Sequence, residues 1–378
     1  MEAICEPSGS QAGALFLAPL PRGYHRRILP GTTEGLYPPR DPAAPLLVVA
    51  GAGGFIGGHL VRALLDQGAA VRAVDCKPIP EWHRTFDAAD NRRLDLRLLE
   101  SSRQAVHGAR DVYNLAADMG GIGFIEANKA ECMLSVLINS HLLTAAREEG
   151  VERYFFSSSA CVYPIDRQRS ADVAALREDD AYPALPEDGY GWEKLFSERM
   201  CHHFREDFGL ETRVARYHNV YGPHGDFEGG REKAPAAICR KVANAVLSGD
   251  HEIEIWGDGE QTRSFMYIDD CIRGTSMIAG GPHAEPINLG SSELVTINHL
   301  VDIVESIAGV ELERRYRLEA PQGVRGRNSD NTLIKQRFGW EPSVALADGM
   351  ERTFAWIYDQ LAARSTHGRE STATVARR

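Results

Sequence analysis

Leu46-Leu-Val-Val-Ala50 is an unbroken apolar run of strand length, the pattern of a strand buried on both faces. Glycines follow at once. Ile56, Leu60, Leu64 and Leu65 then recur at helical spacing, and Ala70-Val-Arg-Ala-Val74 reads as a second strand ending at Asp75. Arg93-Leu-Asp-Leu96, Asp111-Val-Tyr-Asn-Leu115 and Arg153-Tyr-Phe-Phe-Ser157 predict a third, fourth and fifth strand, with helix-compatible stretches between them. Strand and helix in alternation predict an α/β fold built on a doubly wound parallel sheet.

From Arg216 the pattern is less regular. Short strands are expected at Glu252 to Trp256, Ser264 to Ile268 and Pro286 to Leu289, and helices near Pro235 to Leu247, Asp269 to Ile278 and Ile297 to Ile307. The reading is a dinucleotide-binding domain over residues 45–215 and a smaller, partly interleaved C-terminal α/β substrate lobe over 216–364. Residues 1–44, rich in Pro, Gly and small polar residues, are expected to be a loosely docked or disordered extension, and 365–378 a disordered tail.

Composition narrows the class. A formal net charge of −11 argues against nucleic acid as a partner, which would require clustered Lys and Arg to neutralise phosphates. Seven cysteines stand singly, without a C-x-x-C pair, and point to reduced thiols and to neither disulfides nor a bound metal. No apolar run reaches the ~18–20 residues of a membrane span. A cytoplasmic protein is expected.

The run Gly51-Ala-Gly-Gly-Phe55-Ile56-Gly57 between strand and helix marks a dinucleotide site of the Rossmann type. Gly51, Gly54 and Gly57 let the turn close and the backbone approach a pyrophosphate, and the helix start offers unpaired N–H groups. Asp75 ends the second strand, where a carboxylate accepts from an adenosine ribose and selects NAD over NADP. Asp95 stands either near the adenine or as a solvated strand-end carboxylate.

Tyr190 and Lys194 are i and i+4 and share a helix face. The ammonium, with the positive nicotinamide, is expected to pull the tyrosine below its usual pKa of ~10, so that it removes a hydroxyl proton as hydride leaves the same carbon. Ser159, at the end of the fifth strand, can align the reacting oxygen. Two residues on, Cys161 puts a thiol where substrate should lie.

These segments, together with Asn114-Leu-Ala-Ala-Asp-Met-Gly-Gly121, His218-Asn-Val-Tyr-Gly-Pro223, Gly229-Gly-Arg-Glu-Lys-Ala-Pro-Ala236, Trp256-Gly-Asp-Gly and Gly323-Val-Arg-Gly-Arg-Asn-Ser-Asp330, resemble the extended short-chain dehydrogenase/reductase family. Within it the match is to nucleotide-sugar epimerases that invert C3 and C5 of GDP-mannose, over about residues 46–360. The resemblance implies transient oxidation at C4 by bound NAD, enolate formation, and proton transfer by Cys161 and Lys233 on opposite ring faces, giving GDP-L-galactose with GDP-L-gulose as a further product. A C5-only epimerase, or another nucleotide-sugar epimerase or dehydratase of the same fold, is the alternative. By the same resemblance, substrate is held by Gly120, Ser159, Ala160, Cys161, Asn219, Glu232, Lys233, Ala234, Lys241, Gln261, Thr262, Arg263 and Arg327. Lys241, Arg263 and Arg327 would be the cations facing the diphosphate or nucleotide. A homodimer is implied, paired through the long helices expected at Phe124 to Gly150 and Tyr190 to Phe208.

Overall fold

The protein was analysed as a computed structural model that describes residues 44–375, with side chains described to residue 364. The expected extension, apart from its last position, lies outside the described residues. The first half of the fold comprises β1 (Leu46–Ala50), α1 (Phe55–Asp66), β2 (Ala70–Asp75), β3 (Asp90–Arg93), α2 (Leu99–Val106), β4 (Asp111–Asn114), α3 (Ile122–Ala127), α4 (Lys129–Glu148), β5 (Arg153–Ser159), α5 (Asp188–Phe208) and β6 (Glu211–Tyr217). The second comprises β7 (Val220–Tyr221), α6 (Ala234–Ser248), β8 (Glu252–Trp256), β9 (Thr262–Ser264), β10 (Met266–Tyr267), α7 (Ile268–Gly280), β11 (Ile287–Leu289), β12 (Leu294–Thr296), α8 (Ile297–Ala308), β13 (Glu313–Arg317), β14 (Gly326–Arg327), α9 (Thr332–Phe338) and α10 (Leu346–Val375).

Seven strands form the main sheet in the order β11-β6-β5-β4-β1-β2-β3, and every pairing in it is parallel. Because side chains alternate along a strand, Val49 faces one core and Val48 and Ala50 the other. The first core includes Leu60 and Leu64 of α1 with residues of α6, α7, α8 and α10; the second includes Val106 of α2 and Leu142 and Leu143 of α4. Apolar cover on both faces is what permits β1 to be apolar throughout. β11 completes the sheet beside β6 although it comes from the later half of the chain, which is how the smaller lobe interleaves with the first.

Four elements differ from the sequence reading. The third strand lies at Asp90–Arg93, not at residues 93–96. It is an edge strand hydrogen-bonded only to β2, so a polar sequence suffices, while Leu94 and Leu96 follow it and pack into the core. The strand expected at 264–268 is two short ones, because the chain changes sheets at the buried Phe265: β9 pairs with β12 and β14, and β10 with β7. The helix expected from Phe124 to Gly150 is broken at Asn128, whose side-chain amide donates to Phe124 O at 2.9 Å and competes with the helical ladder. In the tail, expected to be disordered from residue 365, the backbone of α10 continues as helix to Val375; an established helix needs only one further bond per added residue.

Candidate active site

β1 and β4 are neighbours in the sheet, yet the chain leaves them in opposite directions, toward β2 and β3 on one side and β5 and β6 on the other. Their carboxyl ends therefore open a crevice, and the glycine turn stands in it. Gly51 has φ +82°, a left-handed backbone, and donates to Val74 O at 2.8 Å. A Cβ at Gly57 would lie 2.1 Å from Gly51 O, so only glycine lets α1 press this closely on the turn. The first-turn amides of Phe55, Ile56 and Gly57 have no intrahelical acceptor and point out of the helix start.

Asp75 is buried and accepts from the amides of Gly53 and Lys77, both at 3.0 Å. Each carboxylate oxygen keeps a second lone pair, which is what ribose hydroxyls need. The cradle and its acceptor thus fit a dinucleotide. Asp95 is half-buried and paired with Arg97 at 2.8 Å. Burial and the nearby Asp75 and Asp95 carboxylates push the thiol of Cys76 up.

Tyr190 and Lys194 lie on α5 and are both buried. The Lys194 ammonium sits 4.7 Å from the Phe156 ring centre, 5.6 Å from that of Tyr190 and 3.6 Å from Glu193 Oε2. The Ser159 hydroxyl lies near the Tyr190 phenol and favours its ionised form, and Ser159 Oγ accepts from Cys161 N at 3.2 Å. Gly191 allows this approach, since a Cβ there would meet Cys161 O at 2.3 Å. In the protein alone, burial pushes the Tyr190 phenol well above its ordinary value, followed by the Cys161 and Glu193 charges, and holds it neutral; the expected depression belongs to the state with the nicotinamide bound.

Ser159, Cys161 and Tyr190 share one open cavity with Lys233, the N-cap residue of α6. The Lys233 ammonium has no hydrogen-bond or ion-pair partner among the described residues. Burial lowers it, and burial raises the Cys161 thiol. Ordinarily the lysine titrates above the cysteine, so these opposite shifts bring their proton affinities together. A thiol and an amine facing one space can take up or release a proton at carbon in either direction.

The cavity also gathers Gly120, Ala160, Asn219, Glu232, Ala234, Lys241, Gln261, Arg263 and Arg327. Several are engaged differently from the expectation of free cations. Lys241 donates to Glu254 O at 2.6 Å, and Arg263 donates to Thr262 O at 2.7 Å and Val324 O at 2.5 Å. Burial, then the neighbouring Arg327 charge, lowers the Arg263 guanidinium, and Glu187 opposes that shift. Asn219 donates to Ser264 O at 2.9 Å and has φ +39°. Glu232 accepts from Arg240 at 3.0 Å. Gln261 Oε1 is buried without a partner and remains an unused acceptor. Thr262 does not line the cavity. Successive residues of β9 point to opposite sides, and its hydroxyl donates to Ala171 O at 2.5 Å.

Two residues that sequence reading missed are prominent. Glu187 lines the cavity and accepts from Arg327 Nη2 at 2.6 Å; Gln168 accepts from Arg327 Nε at 2.6 Å. Glu187 lies one helical turn before Tyr190, which was the only signal available for it.

The six cysteines among the described residues are all free thiols, and no described helix is long and apolar enough to cross a membrane. The only group of side chains among the described residues with metal-ligand spacing is His202, His203 and Glu206, on the outer surface of α5.

Residues 47–290 match the NAD dependent epimerase/dehydratase family. GDP-mannose 3,5-epimerase 1 of Oryza sativa subsp. japonica is 44% identical over 321 residues, covering 85% of this chain and 83% of that protein. GDP-mannose 3,5-epimerase of Arabidopsis thaliana is 42% identical, covering 85% and 84%. Among solved structures, UDP-glucose 4-epimerase of Thermotoga maritima with UDP-glucose superposes with a TM-score of 0.75 at 26% identity, covering 84% of this chain and 99% of that one. UDP-glucuronic acid 4-epimerase of Bacillus cereus, in complex with UDP-glucuronic acid and NAD, gives 0.71 at 27%, with the same coverage. With the glycine cradle, the seven-stranded parallel sheet and the buried Tyr190 and Lys194 in place, this chain belongs to the NAD dependent epimerase/dehydratase family.

Proposed function

We propose that the protein inverts C3 and C5 of GDP-mannose, with Tyr190, Lys194 and Ser159 acting at the C4 hydroxyl and Cys161 and Lys233 at the neighbouring carbons. The observation that carries this reading is the single cavity in which Cys161 and Lys233 stand beside Ser159 and Tyr190. A simple alcohol dehydrogenation has no use for the first pair; an epimerisation through a carbanion requires it.

Gly51, Gly54, Phe55, Ile56, Gly57 and Asp75 would hold NAD. Bound there, it supplies reversible oxidation of the C4 carbon, which makes the C–H bonds at C3 and C5 acidic. Tyr190 holds or takes the C4 hydroxyl proton at its phenolic oxygen, with Ser159 fixing the direction of that oxygen. Lys194 favours the phenolate when it forms. Cys161 Sγ and Lys233 Nζ exchange protons with the ring carbons. The Arg263 guanidinium, bonded only to backbone carbonyls, suits an anionic diphosphate, and the unused Gln261 Oε1 suits a donor on the nucleotide or sugar.

The protein is proposed to act as a homodimer in the cytoplasm. Met133, Leu134 and Leu137 of α4 and Trp192 and Phe196 of α5 are exposed on two helices packed side by side, an apolar face that a second copy would cover. Free thiols suit a reducing compartment.

The test is to incubate the purified protein with NAD⁺ and GDP-mannose and identify the GDP-hexoses formed by NMR. GDP-L-galactose is the expected product. GDP-L-gulose alone would reduce the assignment to a C5 epimerase, and a 4,6-dehydrated sugar would overturn it. Tyr190→Phe should lower turnover about 10²–10⁴-fold while NAD stays bound.

A further inference from the structure

Cys161 does not stand alone in its wall of the cavity. Its Sγ accepts from Arg327 Nη1 at 3.4 Å, and the same guanidinium donates through Nη2 to Glu187 Oε2 at 2.6 Å and through Nε to Gln168 Oε1 at 2.6 Å. All three faces of the guanidinium are thus occupied, and its orientation is fixed. The Glu187 carboxylate lies beside the Cys161 thiol and opposes its ionisation, and Glu187 N donates to Cys161 O at 2.9 Å. Four separate segments meet here: the turn after β5, the loop before α5, the 165–168 turn and β14.

We propose that Glu187 is a positioning residue that governs the proton on Cys161. By pairing with Arg327 it holds a guanidinium nitrogen against Sγ while cancelling the charge that would otherwise draw the thiol into its thiolate. The inference rests on reading Cys161 as a proton-transfer group. Its physical basis is a balance of two opposite charges around one sulfur, the guanidinium in contact with it and the carboxylate paired to that guanidinium. A lone guanidinium in a desolvated site would favour thiolate strongly; a lone carboxylate would forbid it. With both present, the thiol keeps its proton until the reacting sugar changes the local charge.

The other charged or titratable groups around Sγ are Tyr190 on α5, Lys233 at the start of α6 and Arg263 on β9. Lys233 and Arg263 are cations that add to the pull of Arg327 once the carboxylate is gone. Arg327 raises no difficulty of its own: Glu187 keeps it charged, and Arg327 in turn holds the Glu187 carboxyl below its ordinary range against the opposing effect of burial.

The experiment reads the sulfur directly and needs no turnover. The full-length protein is treated with iodoacetamide across pH 6–9, and the carbamidomethylation rate of the Cys161 peptide is followed by mass spectrometry, with the exposed Cys76 as internal reference. In Glu187→Gln the shape is kept and the charge removed. The expected result is labelling of Cys161 at pH 7 faster by about tenfold or more, its pH midpoint moving down while that of Cys76 stays. Glu187→Asp keeps the charge on a shorter stem. It should fall between the two, and it serves in place of Glu187→Gln should that variant not fold. An unchanged or slower Cys161 rate in Glu187→Gln, or a rate in Glu187→Asp no faster than wild type should it stand in, overturns the proposal. Product analysis with GDP-mannose is run alongside. Epimerisation with no labelling shift refutes the role of Glu187 alone, and a labelling shift with no epimerisation refutes the proposed reaction alone.

Discussion

Glu198 and Arg216 form a fully enclosed bidentate pair. Arg216 Nε donates to Oε1 at 2.9 Å and Nη2 to Oε2 at 2.7 Å, with both side chains 3% exposed. The same carboxylate accepts from Ser158 Oγ at 2.5 Å, so α5, β6 and the end of β5 are tied at one point. That point lies next to Ser159 and two helical turns from Tyr190, and it fixes the spacing between β5 and α5.

Glu198→Ala leaves a buried guanidinium without its partner. The expected loss is about 3–5 kcal/mol of unfolding free energy, read from urea midpoints. A change below about 1 kcal/mol would mean that the pair is not the brace described.

The glycine cradle gives a contrast between neighbours. Gly57→Ala puts a Cβ against Gly51 O, a backbone atom that cannot move aside without opening the turn, whereas at Gly58 the nearest atom to an added Cβ is Arg84 Cβ at 3.4 Å. Calorimetric titration with NAD⁺ should show Gly57→Ala weakened by tenfold or more, and Gly58→Ala close to wild type. Equal affinities in the two variants would place the cofactor elsewhere.

Buried histidines set an acid limit on stability. His218 is enclosed, with Nε2 hydrogen-bonded to Asn288 Oδ1 at 3.1 Å and Nδ1 unpartnered, and burial lowers it to about 3; burial likewise lowers His59 to about 4. Below pH ~6.5 the unfolded chain binds protons that these folded imidazoles refuse. Stability is therefore complete above that pH and falls as pH drops toward 4, by about 1.4 kcal/mol per pH unit for each such histidine. Unfolding free energies between pH 6.5 and 4 should show a shallower slope in His218→Gln than in wild type. Parallel slopes would contradict the assignment of His218 as a neutral buried group.

The comparison of sequence and structure is instructive residue by residue. β1 and the glycine turn were legible because five consecutive apolar residues followed by glycines have few alternative readings. Tyr190 and Lys194 were legible because i and i+4 on a helix guarantee a common face. β3 was misplaced because an edge strand carries no apolar signature, and Thr262 was counted into the cavity because strand alternation was not applied within its motif. Glu187, Gln168 and Arg327 could not be linked to Cys161 from spacing: Arg327 is 166 residues away and arrives through the parallel pairing of β14 with β9.

On the proposed reaction, Cys161 and Lys233 exchange protons with the two ring carbons flanking C4. Incubation of the protein and NAD⁺ with GDP-mannose in deuterated water, followed by NMR, tests it most directly. The predicted result is deuterium at both C3 and C5 of the recovered sugars, lost in Cys161→Ser and Lys233→Ala while NAD binding persists. Absence of deuterium at either carbon in the wild-type reaction would contradict it.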